Sequence, residues 1–291
     1  MIVKRARLLG FCMGVRRAVE LACKEADEAK AGGFPVFTFG SLIHNPVVLK
    51  DLESRGVRSV DSVPQISGCS VIIRAHGVTP AAEDELRGAA RRVIDATCPK
   101  VKESQLKTQE FLHAGYCLFL AGEAKHAEIE SIVGYAKACG EGAGSCAVVS
   151  SAQEAEETAA FLFKNKGDVK TALLGQTTIT EEEYQSIGEK IKKYFPNLET
   201  ADTICRATKE RRLALRELLN ETDAVIIAGG KDSANTRRLL AIAKESGKPC
   251  ALAQSANDIP PDFYSFKTIG LCAGASTPDS VIDEIEAKLL F

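Results

Sequence analysis

The stretch Val93-Ile94-Asp95-Ala96-Thr97-Cys98-Pro99 decides the architecture. A short apolar run ends in a polar corner, and a cysteine stands directly before a proline. Proline suits the first position of a helix, because the N–H it lacks would be unpaired there anyway. The sequence thus predicts a strand followed by a helix over 100–113, with Cys98 at or beside the N-cap. A thiol in that place feels the positive end of the helix dipole, which favours the thiolate, the form that binds metal.

The arrangement occurs three times. Gly10-Phe11-Cys12 precedes a helical stretch over 15–29, and Thr203-Ile204-Cys205 precedes one over 207–220. Each of these helices leads to an apolar run with a polar tip: Val36-Phe37-Thr38-Phe39-Gly40 before His44-Asn45, Cys117-Leu118-Phe119-Leu120-Ala121 before His126-Ala127-Glu128, and Ala224-Val225-Ile226-Ile227-Ala228 before Ser233-Ala234-Asn235. A second run and tip follows in each third, ending at Ala75-His76-Gly77, Gln176-Thr177-Thr178 and Ala275-Ser276. Further helices are expected over 46–55, 80–92, 128–138, 180–194, 235–246 and 278–290, with an opening strand in 1–9. Strands alternating with helices argue for parallel sheets covered by helices, which collect ligands outside the carboxyl ends of their strands. The fold class expected is α/β, with three related units over 1–97, 98–196 and 197–291, each offering one cysteine and two polar tips.

A net charge of −2 gives no reason to expect nucleic acid or an anionic membrane as partner. The pairs Arg16-Arg17, Arg91-Arg92, Arg211-Arg212 and Arg237-Arg238 are interleaved with acids and read as solvated surface. No apolar run approaches the ~18 residues of a membrane span, and residues 1–9 are too short and basic for a signal peptide, so a cytoplasmic chain is expected. Ten cysteines in such a compartment are not a disulfide framework. Cys23, Cys69, Cys117, Cys250 and Cys272 lie in or beside apolar runs and read as small buried hydrophobes. Cys139 and Cys146 flank a Gly-rich turn, where a metal site is the sharper reading and plain thiols the blander one.

Cys12, Cys98 and Cys205 can meet at one point if the three units pack around an axis. Three thiolates suit an iron–sulfur cluster with one open iron, yet spacing alone equally admits zinc or three unrelated buried thiols. His44, His76 and His126 all sit at expected strand ends, and with Ser233, Asn235 and Ser276 they resemble a converging polar site for a phosphate or diphosphate. His113 precedes Gly115 and reads as a helix-end residue. Glu128 is either a helix N-terminal acid stabilised by the dipole or a proton donor. Thr177 and Thr178 are either an ordinary strand pair or hydroxyls that pass a proton.

Taken together and in order, Gly10-Phe11-Cys12-Met13-Gly14-Val15, Ile43-His44-Asn45, Ala75-His76-Gly77-Val78, Asp95-Ala96-Thr97-Cys98-Pro99, His126-Ala127-Glu128, Gln176-Thr177-Thr178, Thr203-Ile204-Cys205, Ser233-Ala234-Asn235 and Ala273-Gly274-Ala275-Ser276-Thr277-Pro278-Asp279 resemble the LytB (IspH) family of 4-hydroxy-3-methylbut-2-enyl diphosphate reductases. The resemblance implies a pseudo-threefold trefoil of α/β units around one [4Fe–4S] cluster. It makes Cys12, Cys98 and Cys205 the ligands and leaves the fourth iron open to substrate. It assigns the substrate diphosphate to His44, His76, His126, Ser233, Ala234, Asn235 and Ser276, the protons to Glu128 with His126, and the substrate hydroxyl to Thr177. The reaction implied is a two-electron reductive dehydroxylation to isopentenyl and dimethylallyl diphosphate, fed by ferredoxin or flavodoxin. No G-x-G-x-x-G fingerprint for a nicotinamide site is present.

Three departures from the family pattern stand out. Ala127 replaces a proline, Ala234 replaces the second serine of Ser-Ser-Asn, and Arg206 and Lys209 to Arg211 replace an aromatic and polar run. Ala127 and Ala234 motivate a competing reading, a paralogue acting on another allylic substrate. An iron–sulfur sensor without turnover is a third reading, against which stand Glu128 and Thr177.

Overall fold

The computed structural model describes residues 1–140 and 144–290. Among the described residues twelve strands form three four-stranded sheets, and every pairing described is parallel. The strands are β1 Ile2–Arg5, β2 Val36–Phe39, β3 Val57–Val60, β4 Ser70–Ile73, β5 Arg92–Asp95, β6 Cys117–Ala121, β7 Cys146–Val149, β8 Thr171–Gly175, β9 Glu199–Thr200, β10 Ala224–Ala228, β11 Cys250–Ala253 and β12 Thr268–Ala273. The helices are α1 Met13–Gly32, α2 Pro46–Ser54, α3 Pro80–Ala89, α4 Pro99–His113, α5 Ala127–Ala138, α6 Ala152–Lys166, α7 Glu181–Lys192, α8 Arg206–Asn220, α9 Ala234–Glu245 and α10 Asp279–Leu290. The three-sheet α/β class expected from the sequence is the one observed. By contacts the chain forms two compact units, Met1–Ser59 with Arg206–Phe291, and Val60–Cys205.

Helix starts follow local chemistry. Asn45, Thr79, Thr180 and Ser233 accept backbone N–H groups at the N-termini of α2, α3, α7 and α9, satisfying donors that the helix itself leaves open. Thr180 and Glu183 form a reciprocal capping box. Helix α3 ends at Ala89, short of the expected 92, because Arg92–Asp95 is already extended and paired in register with Ser70–Ile73. Helix α6 is an addition to the sequence reading. Its exposed Phe161 and Phe163 blur the apolar period by which an amphipathic helix is recognised.

In the first compact unit the strand order is β1-β12-β10-β11. Residues alternate between the two buried faces. Ala224, Ile226 and Ala228 pack with Val281, Ile282, Ile285 and Leu289 of α10. Val225 and Ile227 pack with Leu215, Leu218 and Leu219 of α8 and with Leu239 and Ala243 of α9. β1 pairs with β12, residue Arg5 opposite Leu271, and Ala6 continues the ladder by donating to the Leu271 carbonyl at 2.9 Å. Arg5 is ion-paired with Asp283 and Glu286, and Lys4 with Glu221, along this edge. Such exposed pairs are each worth at most ~1 kcal/mol, so the ladder and the core hold the strand.

The second compact unit holds the sheet β7-β6-β8-β9 and the pair β4–β5. Phe119, Ala121 and Leu173 face Ala155 and Ala159 of α6 and Ile187 and Ile191 of α7. Leu118 and Leu120 face Leu112 of α4 and Ile129 and Ile132 of α5. Both faces are covered, which is why these strands read as continuous apolar runs instead of alternating ones. No helix among the described residues is long and apolar enough to cross a membrane.

Phe119 is fully buried and its ring meets that of Phe195 at a centroid distance of 6.4 Å. Phe119→Ala is expected to cost ~3–5 kcal/mol, read as a lower midpoint in guanidinium chloride unfolding of the apo-protein.

Candidate active site

The three cysteines of the repeat stand at three helix N-termini. Cys12 is the N-cap of α1 and Cys98 the N-cap of α4, and neither uses its sulfur to cap the helix. Cys205 directly precedes Arg206, the first residue of α8. All three are half-buried and outside any disulfide. Their backbones are held alike: the Cys12 N–H donates to the Ala275 carbonyl at 3.0 Å, the Cys98 N–H to Ala75 at 2.9 Å and the Cys205 N–H to Thr177 at 2.8 Å. Each acceptor lies in a second polar tip, at or next to Ser276, His76 and Thr177. Gly10, two residues before Cys12, has φ +78°, and a Cβ there would lie 3.1 Å from Asp279 Oδ1 and 3.2 Å from Ile282 Cδ1, so the corner requires glycine.

The donor set fits an iron–sulfur group: three half-buried thiols outside any disulfide, each at the start of a helix. Cys205 is also close enough to Lys100, in the first turn after Cys98, to act on its charge. Of the others, Cys23 and Cys250 are half-buried and not buried as expected, and Cys139 and Cys146 are half-buried too. Cys69, Cys117 and Cys272 are buried, and burial pushes the Cys272 thiol up to about 12. Burial, with Cys139 nearby, pushes Cys146 up to about 12 as well. The turn between Cys139 and Cys146, at 141–143, lies outside the described residues.

The first polar tips open helices α2, α5 and α9. His126 is the N-cap of α5, and its Nδ1 accepts the Glu128 N–H at 3.2 Å. That bond assigns the ring proton to Nε2 in the neutral tautomer. Ala127 occupies the first helical position, where proline is favourable but dispensable, so its departure from the family pattern costs the helix little. At α2 the cap is Asn45 and not His44: Asn45 Oδ1 accepts from Val47 and Val48 at 3.0 and 3.3 Å. His44 is fixed through its carbonyl, which accepts from Ser276 Oγ at 3.3 Å. Gly230 approaches the same carbonyl so closely that a Cβ would come within 2.6 Å. At α9, Ser233 Oγ accepts from the Thr236 N–H at 3.3 Å, Ala234 is the first helical residue, and Asn235 is only 6% exposed. The Asn235 Nδ2 donor is buried with no hydrogen-bond partner among the described residues. A buried donor of this kind is costly unless something accepts from it.

The second compact unit brings four expected site residues together. The rings of His76 and His126 meet edge to face with centroids 5.3 Å apart. Glu128 is 2% exposed, and its two carboxylate oxygens accept from Thr177, Oε1 from the N–H at 2.7 Å and Oε2 from the hydroxyl at 2.8 Å. In the first unit, His44 and Ser276 are in contact, with Ser233, Ala234 and Asn235 following Gly230 on the next loop.

Residues that the sequence reading passed over hold this arrangement. Gln105 Nε2 of α4 donates to Ser131 Oγ of α5 at 2.7 Å, and Ser131 donates to the Val78 carbonyl at 2.9 Å. A Cβ on Gly77 would strike Gln105 Nε2 at 2.6 Å, so the turn after His76 lies directly on this pair. Gln176 Oε1 accepts the Glu123 N–H at 3.1 Å and ties the tips of β6 and β8. Thr203 Oγ1 accepts from the Gly175 N–H and donates to the Gly175 carbonyl, fixing the approach to Cys205. The signal was present in the helical period: Val101, Ser104, Gln105, Thr108 and Leu112 form one buried stripe, but most of it is polar. One expectation is corrected here. Arg211 and Arg212 are buried, not solvated, because α8 turns Thr208, Arg211, Arg212 and Leu215 to the same inner face.

The fold is that of an α/β protein in which thiols, imidazoles and a buried carboxylate stand at strand carboxyl ends within each unit. The family model described as LytB protein matches residues 3–290. A 4-hydroxy-3-methylbut-2-enyl diphosphate reductase of Treponema denticola is 42% identical over 297 residues, covering 100% of this chain and 99% of that one. The reductase of the same description from Aquifex aeolicus is 35% identical over 281 residues, covering 96% and 93%. Among solved structures, that of (E)-4-hydroxy-3-methyl-but-2-enyl diphosphate reductase, the terminal enzyme of the non-mevalonate pathway, superposes with TM-score 0.73 at 34% identity, covering 100% and 99%. The E-1-hydroxy-2-methyl-but-2-enyl-4-diphosphate reductase of Plasmodium falciparum superposes with TM-score 0.85 at 25% identity, covering 98% and 87%. The chain belongs to the LytB family.

Asp95 shapes the approach to Cys98. Its Oδ1 accepts the Thr97 N–H at 2.9 Å and its Oδ2 the Lys102 ammonium at 2.7 Å. Burial opposes the charge, but Lys102 and Thr97 outweigh it and hold the carboxyl below its ordinary value. A depressed folded value means stability that is present above the unfolded value of ~3.9 and is lost as pH falls through the folded one. Asp95→Asn is expected to destabilise the apo-protein by ~1 kcal/mol at pH 7, the pair being partly exposed. Urea unfolding should show this difference shrinking below about pH 4; a difference independent of pH would assign the effect to packing.

Proposed function

We propose that this chain is a 4-hydroxy-3-methylbut-2-enyl diphosphate reductase. It removes the hydroxyl of its allylic substrate to give isopentenyl and dimethylallyl diphosphate. The observation that carries the reading, within the family just described, is the Glu128 carboxylate, sealed from water and bonded to both donors of Thr177. An ordinary helix N-terminal acid is exposed to solvent. A buried one beside a hydroxyl is placed to hold and transfer a proton.

Cys12, Cys98 and Cys205 would hold a [4Fe–4S] cluster. When bound, it would relay the two electrons of the reduction one at a time and would offer Lewis acidity at an iron without a cysteine ligand. The protein's own residues supply binding and protons. The diphosphate oxygens are assigned to His44, His76, His126, Ser233, the Ala234 N–H, Asn235 and Ser276. The N-termini of α2, α5 and α9 add the dipole charge that favours an anion. The Asn235 Nδ2, which has no hydrogen-bond partner among the described residues, gains an acceptor when diphosphate binds. Replacing serine by Ala234 removes a hydroxyl but leaves the N–H at the first turn of α9, so diphosphate binding is retained.

The balance is one substrate hydroxyl, two electrons and two protons, giving one C–H bond and one water. Thr177 orients the substrate hydroxyl while its own proton rests on Glu128 Oε2. Glu128, with His126 at the start of the same helix, relays two protons taken up from solvent: one leaves with the oxygen as water and the other goes to carbon. The electrons come from a one-electron protein carrier of the ferredoxin or flavodoxin type, and the reaction belongs in the cytoplasm.

Glu128→Gln keeps the shape of the side chain but removes its proton chemistry. Turnover is expected to fall ~10²–10⁴-fold, with the visible spectrum and iron content of the reconstituted enzyme unchanged. Activity near that of the wild type would remove Glu128 from the mechanism. Cys98→Ser is expected to lose iron and sulfide on reconstitution, and unchanged iron content would overturn the ligand assignment.

A further inference from the structure

Arg211 is 2% exposed, although it carries a full charge. Its guanidinium bridges two carbonyls: Nη2 donates to Gly10 at 2.7 Å and Nη1 to Ala207 at 3.0 Å. Gly10 lies two residues before Cys12, and Ala207 two residues after Cys205 along the chain. One side chain thus ties the corner that presents Cys12 to the first turn of the helix that Cys205 opens. Gly10 sits in the left-handed region, and an added Cβ would press on α10, so its carbonyl has a fixed direction to offer. A guanidinium presents several donors in a rigid fork, which an ammonium does not. Burying such a charge is unfavourable unless its partners offset the lost hydration, so a fold that keeps one commits structure around it.

Cys272 lies in the α8 core close enough for Arg211 to act on it, yet burial pushes that thiol up to about 12 and keeps it neutral. A cationic group beside a thiolate-held cluster stabilises the reduced, more negative form over the oxidised one. Removing it is therefore expected to move the potential down.

We propose that Arg211 is a positioning residue for the iron–sulfur group: its fork sets the Cys12 corner against the start of α8, and its charge raises the group's reduction potential. This rests on the iron–sulfur reading of Cys12, Cys98 and Cys205.

The test uses reconstituted holoenzyme of the wild type, Arg211→Gln and Arg211→Lys. The readouts are the midpoint potential from a redox titration followed by electron paramagnetic resonance, iron release to a chelator, and thermal unfolding. Arg211→Gln is expected to lower the potential and release iron roughly tenfold faster. Arg211→Lys is expected to bring the potential back towards the wild type while iron release stays fast, because one ammonium keeps the charge but not the fork. Variants that keep both potential and iron release at wild-type levels would overturn the proposal, as would a lysine variant no closer in potential than glutamine. If the glutamine variant does not fold, wild-type iron release in Arg211→Lys overturns the clamp by itself. Wild-type protein that takes up no iron and sulfide would overturn the iron–sulfur reading itself, a result distinct from any difference among variants.

Discussion

A single backbone hydrogen bond, made three times, carries the site. The N–H of Cys12, Cys98 and Cys205 each donates to a carbonyl at the end of another strand segment, at Ala275, Ala75 and Thr177. The acceptor is either a polar tip residue or its immediate neighbour. Thiol and tip are therefore separated by one hydrogen bond and a short length of chain, and cannot drift apart without breaking a ladder. The pattern also explains why β1 joins the sheet of the C-terminal segment. Cys98 and Cys205 hang from the tip that precedes them in sequence. Cys12 has no preceding tip, and the pairing of Ile2–Arg5 with β12 delivers it to Ala275 instead.

Around these bonds the protein concentrates polarity where a sheet can best tolerate it. The strands are buried on both faces and apolar along their length, so polar side chains collect at the carboxyl ends, next to helix N-termini. There the fold keeps groups that a core would reject: a carboxylate at Glu128, an amide donor at Asn235 and a guanidinium at Arg211. Each is held by specific partners or waits for one. The Gln105–Ser131 pair beneath the His76 turn serves the same end, since it lets α4 and α5 pack tightly while fixing the backbone that carries the imidazole. The apolar layers give stability, and the polar layer at their rim gives position.

Much of this was legible in the sequence because the signals are local. Pro99 after Cys98, Asn45 before Pro46 and the Thr180–Glu183 box each fix a helix start within a few residues. The apolar runs named β6, β8, β10 and β12 correctly because burial on both faces leaves no polar interruption. The unread features are of two kinds. Some depend on partners distant in sequence: β1 with β12, the early end of α3 at a paired strand, and Arg211 with Gly10. Others hide in the assumption that a buried helix face is apolar. The inner faces of α4 and α8 include Ser104, Gln105, Thr108, Arg211 and Arg212, so an apolar count placed these residues outside. His44 illustrates the remaining limit, for its tip was recognisable, but only the structure shows that Asn45 does the capping.

The reaction itself is open to direct measurement. The most direct measurement is anaerobic turnover of 4-hydroxy-3-methylbut-2-enyl diphosphate by the reconstituted protein with a reduced viologen dye. The account predicts dye oxidation coupled to formation of both isopentenyl and dimethylallyl diphosphate, two dye molecules for each substrate consumed. A sample with four irons per chain that neither oxidises the dye nor forms either product would contradict it.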